Sequence, residues 1–386
     1  MSAQKNRPVP GVPEQWATRM FFFIGGFGTA SWAPLVPLFR ERLGILDDVL
    51  GMLLLCIGIG SLLTMPLSGF LAARFGCRIV LRVFATLFGL LLLSLAVVDD
   101  LYVSVVCLLL FGAVMGGIDV TINIAAVIVE KASGKRLMSG MHAFWSVGGF
   151  VGAGLYGLWV GVFGLSALTS TVLAMGIIFA VMLLFSRHLI PYGGGGGGKL
   201  VAVPRGIVVG VGIVAFVSFL VEGATMDWSG VFLTTIRGWD MSLAGMGFTV
   251  FSLAMLTMRL LGDATVNKLG QKAVVIGGSA LAAAGFFSIT VIEEPVLIYA
   301  GFFAVGIGCA NIVPVFFSLL GKQTAMPIGD AVAATSTLGY LGVLVGPAAI
   351  GFISHATSLY AAFILLAALI IAQAILAFFV YRRMDG

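Results

Sequence analysis

Apolar runs of about 20 residues recur along the chain, each long enough to cross a bilayer as a helix. Short polar stretches separate them. The pattern predicts twelve helical spans, at residues 17–39, 49–72, 79–98, 102–129, 137–160, 166–185, 206–235, 242–261, 273–292, 296–320, 331–353 and 359–381. The longest polar connection, 186–205, contains six consecutive glycines at 193–198, the composition of a flexible linker. It divides the chain into an N-terminal six-helix bundle, 1–185, and a C-terminal six-helix bundle, 206–386. The predicted fold class is an all-α membrane protein with two pseudo-symmetric bundles.

The halves read as a repeat. An offset of 194 pairs Gly76 with Gly270, Arg78 with Lys272 and Gly112 with Gly306. The same offset pairs Gly148, Gly152 and Gly157 with Gly342, Gly346 and Gly351. These glycines fit close helix packing through small residues. Parallel repeats of this kind occur in secondary transporters.

Composition agrees with the pattern. Of 386 residues, 60% are hydrophobic and 10% charged, against about 25% charged in soluble domains. An ordinary soluble protein is excluded. The net charge of +5 comes from basic residues scattered in short loops, which suits a membrane surface rather than nucleic acid. Of the 21 Lys and Arg, only Arg40, Arg42 and Arg237 fall in loops opposite the termini, and Arg259 falls inside a span. The positive-inside rule therefore predicts that both termini are cytoplasmic. The first apolar run leads into Trp32-Ala33-Pro34 rather than a small-residue cleavage site, so no cleavable signal peptide is expected. Cys56, Cys77, Cys107 and Cys309 have neither metal-ligand nor disulfide-framework spacing.

The candidate chemistry lies in charged residues where hydrocarbon is expected. Asp119 sits inside 102–129, about 16 Å along the helix from Glu130. A charge at such a depth costs about 2.5–3.5 kcal/mol on insertion scales. Asn123, four residues on, shares its face. Asp119 reads as a proton carrier or solute anchor, or as a structural acid bonded to a neighbouring helix. Glu222 faces the same choice, about 24 Å into span 206–235. Asp227 lies five residues further, about 140° round a regular helix, so the two acids converge only if the helix breaks, as Gly223 would allow. Histidine is the side chain whose ordinary charge change falls near neutral pH, and His142 reads as a proton-coupling residue or a hydrogen-bonded structural one. Trp32 and Trp145 offer faces for stacking on a ring, or pack structurally. Arg259 and Asp263 are spaced i,i+4 and read as an ion pair. Asn311 and Pro314 interrupt 296–320, and broken helices often line sites. There is no nucleotide, metal or nucleophile–base constellation, so neither an enzyme nor a cofactor is expected.

The loop Gly69-Phe70-Leu71-Ala72-Ala73-Arg74-Phe75-Gly76-Cys77-Arg78 resembles the signature loop between helices 2 and 3 of the major facilitator superfamily (MFS). The family usually has an aspartate where Ala73 stands. The stretch 262–272 matches it in the second half. The motifs at 32–37, 141–149 and 222–229, with Asp119 and Asn123, are similar to the YbjJ-type bacterial inner-membrane proteins near the fucose permease group. The resemblance implies a monomeric secondary transporter of the bacterial inner membrane, working by alternating access. Its partners would be a small-molecule solute, protons and membrane lipids, with no nucleic acid. In that setting Asp119, Glu222 and His142 are the proton-coupling candidates. Asn123, Trp32, Trp145, Asn311 and Asp227 are the solute contacts. Arg74, Arg78, Glu130, Arg259 and Asp263 form gate pairs. Drug–proton antiporters of the family carry an arginine in helix 4 and a Gly-Pro motif in helix 5. Here 102–129 has no arginine, and Ala153 stands in place of the proline. This favours proton symport of a small polar, sugar-like solute. The alternatives are proton-coupled efflux of drugs or metabolites and, further off, a channel or a non-transporting sensor.

Overall fold

The computed structural model describes residues 10–45, 47–193, 202–239 and 246–385. Five of the six glycines of the expected linker lie outside that set. Every regular element among the described residues is a helix. Among the described residues ten helices are long and apolar enough to cross a membrane, or eleven when one bent pair counts as a single span. The chain is a multi-pass membrane protein.

The first half runs α1 (Val12–Trp32), α2 (Leu35–Leu43), α3 (Asp47–Phe75), α4 (Cys77–Val97), α5 (Leu101–Ser133), α6 (Met138–Gly161) and α7 (Ala167–Phe185). In the second half α8 (Ile207–Val231) passes into a π-helical turn, Phe232–Ile236. It is followed by α9 (Met246–Leu260), α10 (Gly262–Leu269), α11 (Gln271–Val291), α12 (Pro295–Cys309), α13 (Ile312–Leu320), α14 (Ile328–Ala356) and α15 (Leu359–Asp385).

Three elements differ from the expected spans. The run 17–39 is two helices, because Pro34 has no N–H to continue the ladder beyond Trp32. The run 296–320 divides into α12 and α13 at Ala310–Asn311. The expected second loop, 262–272, is largely the helix α10, bent 62° from α9.

Two compact units form. The first comprises Met1–Leu137, Met141–Ala202 and Pro327–Ala333. The second comprises Met138–Gly140, Val203–Met326 and Ala334–Gly386. Stacked aromatics fill both cores: Phe88 on Phe111 at 4.9 Å in the first, Phe232 on Phe363 at 4.4 Å in the second.

The 194-residue repeat reaches individual atoms. Gly76 and Gly270 turn the chain at φ +81 and +83, a region that L side chains avoid. A Cβ on Gly112 would overlap the Ile57 carbonyl, and one on Gly306 would overlap the Phe251 carbonyl. Residues 57 and 251 are themselves 194 apart. Arg42 donates to the carbonyls of Leu95, Ala96 and Val98, closing the C-terminus of α4. Arg237 donates to Ile289 and Thr290 at the end of α11, at 2.6 and 2.7 Å. Leu95 and Ala96 correspond to Ile289 and Thr290 at the same offset. Helix C-termini leave carbonyls without intrahelical donors, and each unit satisfies them with an arginine from a distant turn.

Candidate functional site

In the first unit, α5 begins on Asp100, whose carboxylate accepts from the Val103 amide at 2.9 Å. Gly116 and Gly117 let Ser61 of α3 and the Phe84 ring of α4 approach the helix axis. Asp119 follows, half-buried. The Asn123 Nδ2 donates to the Asp119 carbonyl at 2.9 Å and to Asp119 Oδ1 at 3.2 Å. Both are acceptors, which fixes the amide orientation. Asn123 is 1% exposed, and its Oδ1 has no hydrogen-bond partner among the described residues. Such an acceptor, buried and unsatisfied, costs about 1–3 kcal/mol. The pair thus places a carboxylate and a buried amide oxygen, both hydrogen-bond acceptors, one helical turn apart.

The other first-unit candidates lie in aromatic packing. His142 of α6 sits 5.1 Å from the Phe22 ring. The Trp145 ring covers Gly25 of α1. Trp32 is buried between Phe39 at 5.3 Å and Phe111 at 6.2 Å.

In the second unit, α8 is continuous through Gly223, so Glu222 and Asp227 stay on different faces. The break that would bring them together does not occur there, because the backbone of this stretch keeps its helical course. Glu222 is half-buried and Asp227 exposed. Glu222 Oε2 lies 3.5 Å from Arg259 Nη2. Arg259 Nε donates to the Ala310 carbonyl at 3.2 Å, and Asn311 Nδ2 donates to the Met258 carbonyl at 3.2 Å. Arg259 and Asp263, expected as an i,i+4 pair, stand on two helices, α9 and α10, bent 62° from each other. Asp263 accepts from the Ser139 and Gly140 amides, both at 3.0 Å, within the second unit. Those amides belong to the first turn of α6, where a carboxylate is favoured.

At the gate candidates of the first unit, Glu130 Oε2 accepts from the Leu137 amide at 2.7 Å. Arg74 lies over the Phe75 ring, 5.4 Å from its centroid. Arg78 Nε donates to the Leu189 carbonyl at 2.7 Å, and its amide donates to the Ile190 carbonyl at 3.0 Å. The signature-loop arginine thus holds the segment that follows α7. Sequence reasoning did not find the roles of Arg42 and Arg237, although two arginines in loops opposite the basic side were a usable signal. Among the described residues no group of three or more His, Cys, Asp or Glu is placed to hold a metal ion.

The Major Facilitator Superfamily model matches residues 20–205 and 211–386. An uncharacterised MFS-type transporter of Yersinia pestis is 48% identical over 358 residues, covering 92% of this chain and 92% of that one. The solved structure of the E. coli fucose:proton symporter FucP has a TM-score of 0.77 at 15% identity, covering 96% of this chain and 98% of that one. The proton:xylose symporter XylE has a TM-score of 0.69 at 16% identity, covering 94% of each chain. At these identities the two structures bear on the fold alone. With the family model matching nearly the whole chain and a relative 48% identical along its length, the chain belongs to the Major Facilitator Superfamily of transporters.

Proposed function

We propose that this secondary transporter is a proton-coupled symporter that takes up a small polar, sugar-like solute across the bacterial inner membrane by alternating access. The observation that carries the reading is the Asp119–Asn123 pair: a carboxylate inside a spanning helix, beside a buried amide oxygen with no partner among the described residues. Intramembrane acids serve ion and substrate paths by default. An acceptor face takes up a proton and solute hydroxyls alike. The fold neighbours named above include two sugar–proton symporters, which makes sugars the first solutes to test.

In this reading Asp119, Glu222 and His142 handle the proton. Asn123, Trp32, Trp145, Asn311 and Asp227 contact the solute. Arg74, Arg78 and Glu130, with Arg259 and Asp263, form the inner gate. The topology proposed has twelve spans with both termini cytoplasmic: the ten long helices, the bent α9–α10 pair, and α1 with its 21 residues. The two bundles are 1–185 and 206–386, joined by the linker 186–205, and the monomer is the working unit. The motifs at 32–37, 141–149 and 222–229 are the basis for a place in the YbjJ-type branch.

The test has two stages. A thermal-shift screen of purified protein against sugars, amino acids, peptides and amphipathic drugs identifies a ligand, because binding to the folded state raises the melting temperature. Uptake of that ligand into proteoliposomes under an imposed inward proton gradient then reads coupling. Gradient-driven accumulation supports symport. Extrusion against the same gradient supports antiport. Downhill flux without counterflow would remove the carrier reading.

A further inference from the structure

The second unit contains a clasp that begins with a proline. In a regular helix the Ala310 carbonyl would accept from the amide of residue 314, as the Asn311 carbonyl accepts from Val315 at 3.1 Å. Residue 314 is proline, so that donor does not exist. Arg259 Nε supplies the missing hydrogen bond at 3.2 Å. The adjacent residue on each side completes a reciprocal bond, from Asn311 Nδ2 to the Met258 carbonyl at 3.2 Å. Arg259 is 7% exposed and Asn311 2%. The same guanidinium reaches Glu222 of α8 at 3.5 Å. A planar fork with five donors can span these directions at once, which an ammonium cannot. One side chain thereby ties α8, α9 and the break between α12 and α13.

We propose that Arg259 is a positioning residue that transmits the charge state of Glu222 to the α12–α13 break. A buried guanidinium needs its counter-charge. When Glu222 loses its negative charge, it ceases to hold the guanidinium in this position and the Arg259 Nε leaves the Ala310 carbonyl. With the proline-orphaned carbonyl uncapped, the break at Ala310–Asn311 loosens. Other titratable groups stand on these elements or next to them in the chain. Asp227 lies further along α8, Cys309 ends α12, and Asp263 on α10 has both carboxylate oxygens engaged by the Ser139 and Gly140 amides. In the symport reading, on which only the consequence for transport rests, the neutralising event is the arrival of the coupled proton. The clasp then converts protonation into motion of a broken helix.

Cys309 adjoins Ala310 and is 7% exposed, so its reaction with N-ethylmaleimide reports opening of the break without any solute. The protein would be purified with Cys56, Cys77 and Cys107 replaced by serine and labelled at one fixed pH. Glu222→Gln and Arg259→Gln should both speed labelling about tenfold, as a local opening equilibrium shifted by one decade requires. Charge alone acts oppositely in the two variants: the thiolate is favoured by losing the carboxylate and disfavoured by losing the guanidinium. Faster labelling in E222Q with slower labelling in R259Q therefore overturns the clasp, as do unchanged rates. Should R259Q fail to fold, Arg259→Lys decides, because lysine keeps a cation near Glu222 but cannot also hold Ala310. Accelerated labelling in R259K supports the clasp, and a wild-type rate overturns it. Proton-driven uptake by E222Q separates the two readings. Fast labelling with normal pH-dependent uptake keeps the clasp and removes Glu222 from coupling. Wild-type labelling with lost coupling does the reverse.

Discussion

Asn123 donates its side-chain amide to both the carbonyl and the carboxylate of Asp119, at 2.9 and 3.2 Å. The acid is thus held by its own helix, with no cation paired to its carboxylate among the described residues. Asp119→Asn preserves shape and removes the titrating group. We expect it to abolish accumulation driven by a pH gradient while leaving expression and solute counterflow in place, since counterflow needs no net proton movement. Accumulation that persists with unchanged pH dependence would exclude Asp119 as the coupling acid. Asn123→Ala removes the unpartnered Oδ1 as well as the amide. It should weaken solute binding about tenfold, the loss of roughly one hydrogen bond of about 1.5 kcal/mol. A titration of the thermal shift checks it.

The arginines that close α4 and α11 make a second prediction. Hydrogen bonds from a charged donor contribute about 1.5–3 kcal/mol. Arg42→Ala uncaps three carbonyls and Arg237→Ala two. Both should lower the apparent melting temperature in detergent, Arg42→Ala by more. Lysine at either position should recover only part, because one ammonium cannot reproduce the fork. Full recovery by lysine would reduce the role to simple charge.

Close helix approach gives a third. Alanine at Gly112 or Gly306 drives a methyl group into a backbone carbonyl, whereas a Cβ at Gly157 meets nothing within 4 Å. Overpacking against backbone costs about 1–3 kcal/mol. Alanine in place of a helical glycine with free space instead stabilises by about 0.4–1 kcal/mol. Gly112→Ala and Gly306→Ala should therefore melt lower than the parent, and Gly157→Ala at or above it. Equal melting of all three would show that α3 and α5, and α9 and α12, leave room for a methyl group between them.

These contrasts also mark what the sequence could disclose. Run length betrays a membrane helix because lipid imposes a length, and Pro314 betrays a break because a missing N–H is a local fact. The pairing of Gly112 with Gly306 was legible, since identity at a fixed offset needs no structure. The contact of Arg259 with Glu222 was not. Glu222 is 37 residues away in sequence, while Asp263 stands at the spacing that a straight helix would bring alongside. A bend of 62° between α9 and α10 separates those two residues, and no single residue type announces it. Gly157 and Gly351 matched in sequence, but a Cβ added to Gly157 would meet nothing within 4 Å, whereas one added to Gly351 would lie 3.2 Å from the Trp228 ring. A repeat of residues is not always a repeat of contacts.

The paired turns at Gly76 and Gly270 allow a test in which conformation is equal and surroundings are not. Their φ angles are +81 and +83. With ψ at +152 and +154 both lie in a region that is essentially glycine's alone and costs other residues about 1–3 kcal/mol, so alanine should be penalised at both. At Gly76 the added Cβ also overlaps the Pro191 carbonyl, whereas at Gly270 nothing lies within 4 Å. Around Gly76 the chain after α7 is bonded to the turn, through Cys77 N to the Tyr192 carbonyl at 3.4 Å and Arg78 N to the Ile190 carbonyl at 3.0 Å. Gly270→Ala should therefore lower the apparent melting temperature modestly and leave protease sensitivity of 186–193 unchanged. Gly76→Ala should destabilise further and expose that segment to limited proteolysis, because the clash is relieved by peeling it away. If both variants resist cleavage equally, the segment is not held by the α3–α4 turn, and Arg78 would be free to act at the gate where its position in the signature loop first placed it.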